Sequence, residues 1–120
     1  MKTVRGSAVV EFALVFPLVV IVLLFVVEVA VVGRAQIEVV AAAREGARHA
    51  AVDPDPAGAV EVVRAALGPA GERARVRVAR PHVVGAAAEV TVHLPHAVAA
   101  VIFGGFTVDL RGTATMRVER

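Results

Sequence analysis

From Val9 to Val32 only two charged residues, Glu11 and Glu28, interrupt the chain, and between Phe12 and Val27 there are none. As a helix rising about 1.5 Å per residue, that stretch reaches roughly 36 Å, enough to cross a hydrocarbon core of about 30 Å with some tilt. A secretory signal peptide would end its apolar region after about 7–15 residues and follow it with a small-residue cut site and a change of pattern. Here the helical pattern runs on through Gly33 to about Ala51. The sequence therefore predicts a membrane-spanning helix, kinked at Pro17, where one backbone donor is missing.

A chain of 120 residues that commits this much length to lipid has room for one small globular domain beside it. Its 58% hydrophobic content and mean hydropathy of +0.73 agree with a membrane protein. There is no cysteine, so neither disulfides nor thiolate metal sites enter the reading. Lys2 and Arg5 precede the apolar run; beyond Gly6 eleven basic groups balance eleven acidic ones. A nucleic-acid partner would need a clustered basic footprint that survives loss of the first residues, so nucleic acid is excluded as a partner.

Beyond the span, Arg34, Glu38, Arg44, Glu45, Arg48 and His49 project within about 140° of arc, with Ile37, Val39, Val40, Ala43 and Ala47 on the remainder. This predicts an amphipathic extension of the same helix. The run Asp53-Pro54-Asp55-Pro56 stops it. Asp55 is placed to cap a short second helix whose face is Val60, Val63 and Leu67, ended by Gly68-Pro69. Period-two alternation then predicts three strands: one around Arg73–Val78 with Arg73, Arg75 and Arg77 on the wet face, one around Val90–Leu94, and one from Thr107 to Val118. The Ala97–Phe103 stretch is too short to span and reads as a buried connection or a contact surface. The expected class is α+β: a long N-terminal transmembrane helix, then a small antiparallel three-stranded sheet with one short helix. The corresponding divisions are 1–6, a basic leader; 7–51, the helix with its extension; and 52–120, a small extracytoplasmic domain.

Glu11 needs an explanation, since a carboxylate in a spanning helix costs about 2.5–3.5 kcal/mol on insertion scales unless it is paired. Cleavage after Gly6 would supply one: the new amine of Ser7 would lie a helical turn away and could pair with Glu11 of an adjacent subunit. The alternative is that Gly6 and Ser7 only start the helix, with Ser7 as its cap. A basic leader ending in glycine, with Glu five residues past the cut and an aromatic next, resembles the site read by type IV prepilin peptidases: Gly6, Ser7, Glu11 and Phe12. The run Arg5-Gly6-Ser7-Ala8-Val9-Val10-Glu11-Phe12-Ala13-Leu14-Val15-Phe16-Pro17, then Glu28, then Ala43-Arg44-Glu45-Gly46-Ala47-Arg48-His49-Ala50-Ala51, is similar to the TadE-like family over about the first 50 positions. Aromatic residues common in that family near Glu28 and after the Ala-Arg-Glu-Gly segment are absent. The resemblance implies a pilin-like plan and a pseudopilin of a tight-adherence (Flp) pilus or related secretion system, matured by a prepilin peptidase. Its partners would be the membrane, other pilins or pseudopilins and inner-membrane assembly proteins, with no small-molecule substrate.

Glu28, Arg44, Glu45, Gly46 and Arg48 are candidate helix-packing contacts on this reading. Against it, Glu28 can be an interfacial residue and the Arg44–Arg48 segment a solvated helix face with a loosely packed glycine. Ser7 is the only serine and there is no Cys or Tyr, so no nucleophile–base–orienter set assembles and no catalytic residue or cofactor is expected. His82, His93 and His96 do not make a metal site, because Pro95 disrupts the geometry between the last two. With the basic N-terminus inside, the protein is expected in the cytoplasmic membrane with its C-terminal domain outside. The competing reading is a single-pass, membrane-anchored extracytoplasmic binding module unrelated to pili.

Overall fold

Each proline of Asp53-Pro54-Asp55-Pro56 disfavours helix at the residue before it, and the first helix, α1 (Lys2–Val52), ends at this run. The computed structural model describes residues 2–98 and 105–119. α1 is continuous over 51 residues, with Pro17 inside it. The chain divides into two units, Met1–Val31 and Val32–Arg120, and α1 contributes to both.

In the first unit every described side chain is exposed except Glu28, which is half-buried. A helix whose Val, Leu, Ile and Phe residues lack cover on every side is suited to lipid rather than to water. Among the described residues α1 is the one helix long and apolar enough to cross a membrane.

The second unit holds the rest of α1 with α2 (Pro56–Leu67), β1 (Arg75–Ala79), β2 (Ala87–Val98) and β3 (Phe106–Arg117). The α+β class and the three-stranded antiparallel sheet expected from the sequence are present, in the order β1-β2-β3. α2 starts as its residues dictate: Asp55 accepts a hydrogen bond from the Ala57 amide at 3.0 Å, and Pro56 occupies the first turn. Gly68, at φ +62°, closes α2 through its amide to the Ala65 carbonyl.

The first strand starts later than its alternation predicts. Arg73 belongs to a 3-10 turn, Gly68–Arg73, and not to the first strand. The turn is fixed by the Ala74 amide on the Gly71 carbonyl at 3.2 Å and by Gly71 packing against the Arg64 backbone, so β1 begins at Arg75.

The core consists of small side chains. Val39, Ala42, Ala43, Ala47 and Ala50 of α1 meet Ala59, Val63 and Leu67 of α2 and Val90, Val92, Leu94 and Leu110 of the sheet. Ile37 is 71% exposed, because at 3.6 residues per turn it lies about 200° from Val39 and joins the charged face instead. Alanine and glycine let the helix approach closely: Gly112 of β3 lies against Val39, where a Cβ would stand 2.9 Å from the Val39 carbonyl oxygen.

The end of α1 is fastened to the sheet region. Arg80 Nε donates to the Ala50 carbonyl at 2.6 Å and the Glu119 amide to the Ala51 carbonyl at 2.8 Å, satisfying acceptors that a helix terminus leaves open. Further back, Gln36 Nε2 donates to the Arg111 carbonyl at 2.7 Å. Of the apolar stretch 97–103, Ala97 is exposed, and residues 99–103 lie outside the described residues.

Candidate functional site

The residues singled out by the sequence fall on one helix, in two groups. Gly6, Ser7, Glu11 and Phe12 lie near its start, all exposed. Ser7 and Glu11 are four residues apart and therefore share a face, one above the other. Phe12 continues into Phe16, with ring centroids 5.7 Å apart and planes tilted by 35°, an apolar knob beside the carboxylate.

Gly6 sits inside α1, yet a Cβ built on it would meet nothing within 4 Å. Glycine inside a helix costs about 1 kcal/mol relative to alanine, and packing gives no reason for it here. Glu11 makes no ion pair among the described residues.

The second group behaves differently. Arg44, Glu45 and Arg48 are exposed, whereas Gly46 and Ala47 are buried. Gly46 faces α2 and β2: an added Cβ would overlap Val63 Cγ2 and lie 3.2 Å from Val90 Cγ1. The glycine of this segment is thus tightly packed within the chain, while its charged neighbours form an open face. Glu28 lies between the groups in the helix, half-buried. Arg34 and Glu38 make an exposed i,i+4 pair at 3.3 Å, of a kind worth only about 0.3–0.5 kcal/mol.

Residues 6–48 match the model of the TadE-like protein family. Over that stretch the chain is similar to TadE-like proteins. Both groups lie within it, from Gly6 at its first position to Arg48 at its last. The TadE-like segment joins the exposed apolar helix to the part of α1 that packs on the sheet, and the combination fits a membrane-anchored protein. No curated protein and no solved structure matches the chain.

What sequence reasoning missed is the second role of the Ala-Arg-Glu-Gly segment. The signal was present as the spacing of Val39, Ala42, Ala43, Gly46, Ala47 and Ala50, a stripe of small residues at helical period.

Proposed function

We propose that this chain is a TadE-like pseudopilin that serves the assembly of a tight-adherence (Flp, type IVb) pilus or a related secretion system. The observation that carries this is the TadE-like match beginning at Gly6, a glycine for which the fold has no packing use. A prepilin peptidase cutting after Gly6 gives that glycine a purpose, and the cut releases the Ser7 amine one turn from Glu11. The basic leader stays on the cytoplasmic side, the apolar part of α1 lies in the inner membrane, and the sheet domain lies outside. The helix packs laterally against other pilins or pseudopilins, and the Glu11 carboxylate sets register by taking a neighbour's Ser7 amine. This pairing offsets the cost of placing a carboxylate near lipid. Inner-membrane pilus assembly proteins are the further partners. The protein's work is packing and placement, without bond-making chemistry of its own.

The test is the intact mass of the membrane-extracted protein after coexpression with an active prepilin peptidase. The expected product begins at Ser7, and Gly6→Val retains the full chain. A full-length wild-type mass beside an active peptidase contradicts the reading and favours an anchored binding module that keeps its N-terminus.

A further inference from the structure

The sheet has one covered face and one open face. Val90, Val92, Leu94 and Leu110 point into the core, so the alternate residues of each strand point away from it. The register aligns these in rows across the sheet: Arg75 opposite His93 opposite Arg111, and Arg77 opposite Thr91 opposite Thr113. Arg75, Arg77 and Arg111 are all exposed. The open face also carries two carboxylates, and both are engaged locally: His93 Nδ1 lies 3.2 Å from Asp109 Oδ2, and Thr91 Oγ1 donates to Glu89 Oε1 at 3.4 Å. The guanidinium groups of Arg75, Arg77 and Arg111 make no ion pair among the described residues. A shallow depression opens where β2 runs on past the start of β1, lined by Arg75, Arg77, His93, Pro95 and Asp109.

Arg75 and Arg111 flank His93 in one row, and Arg77 lies two residues from Arg75 on β1, so three exposed guanidinium groups share this face and repel one another. An anion placed between them reverses that sign. The spacing selects its form: Arg75 and Arg77 are two residues apart on one strand, the interval of about 6.6–6.8 Å at which an extended chain presents alternate side chains to one side. Guanidinium forks bind carboxylates in bidentate fashion. The interleaved Glu89 and Asp109 disfavour a uniformly anionic lipid surface and suit a polypeptide with its own alternation of charge and neutrality.

We propose that the open face of the sheet, centred on Arg75, Arg77 and Arg111, docks an extended acidic segment of a partner protein, with carboxylates at alternate positions. The inference is independent of what the N-terminal segment does.

The test uses the full chain in phosphatidylcholine nanodiscs and a fluorescein-labelled peptide of alternating Glu and Thr, read by anisotropy at low salt. Wild type binds the peptide. Arg75→Glu with Arg77→Glu weakens binding at least about tenfold and transfers binding to a peptide of alternating Lys and Thr. Arg75→Gln with Arg77→Gln, checked by circular dichroism for an unchanged fold, also weakens binding, whereas Arg64→Glu on α2 leaves it unchanged. Failure of wild type to bind overturns the proposal, as does an equal loss with Arg64→Glu. So does binding to phosphatidylglycerol vesicles in place of the peptide, or self-association of the chain through the same arginines.

Discussion

Two glycines of one helix separate two kinds of constraint. Gly46 is held by packing: Val63 and Val90 occupy the space a side chain would need, and valine, branched at Cβ, has few rotamers with which to yield. Gly46→Ala gains about 1 kcal/mol of helix propensity but overpacks a tight contact at a cost of about 1–3 kcal/mol. The net expectation is a loss of about 1 kcal/mol, a fall in thermal midpoint of roughly 4–8 °C for a unit of this size. Circular dichroism of the full chain measures it; an unchanged or higher midpoint would show that the α1–α2 contact is looser than described. Gly6 has no such neighbours, so its substitution is expected to act on processing rather than on stability.

At the scale of elements, α1 lies on both sides of the division between the two units, and its first part carries the topology. Lys2 and Arg5 precede the apolar run, while Arg34, Arg44 and Arg48 follow it, so counting Lys and Arg alone does not fix the orientation. The orientation proposed above places Lys2 and Arg5 on the cytoplasmic side. A reporter fused at the C-terminus is expected to be active only on the extracytoplasmic side; cytoplasmic activity reverses the orientation. The elements themselves were legible because their signals are local. The apolar run gave the first part of α1, Asp55-Pro56 the start of α2, and alternation of valines with polar residues the strands. Register was not legible, since pairing Arg75 with His93 and His93 with Arg111 depends on contacts distant in sequence. The 3-10 turn at Gly68–Arg73 was hidden for a related reason: its glycine answers to the Arg64 backbone, a contact that no pattern within the turn announces. In the candidate site, Gly6 and Glu11 stood out because each defies its surroundings. Gly46 was singled out as a helix-packing contact, but its partners within the chain, Val63 and Val90, are distant in sequence and left no local signal.

For the whole molecule, a TadE-like segment over residues 6–48 is combined with a sheet domain whose core is built from alanine and valine. In the function proposed above, the first anchors the protein and packs laterally, the open sheet face of the second contacts a partner, and pilus assembly needs the protein with a matured N-terminus. The most direct measurement is surface piliation of a strain lacking the gene, complemented with wild type, Gly6→Val or Glu11→Ala at matched membrane levels. Because removing a charge from the apolar run relieves its insertion cost, of about 2.5–3.5 kcal/mol, Glu11→Ala inserts at least as well as wild type and any defect is one of assembly. Wild type is expected to restore pili, and both variants to fail. Full piliation without the protein, or with Gly6→Val in its place, would contradict the proposed function.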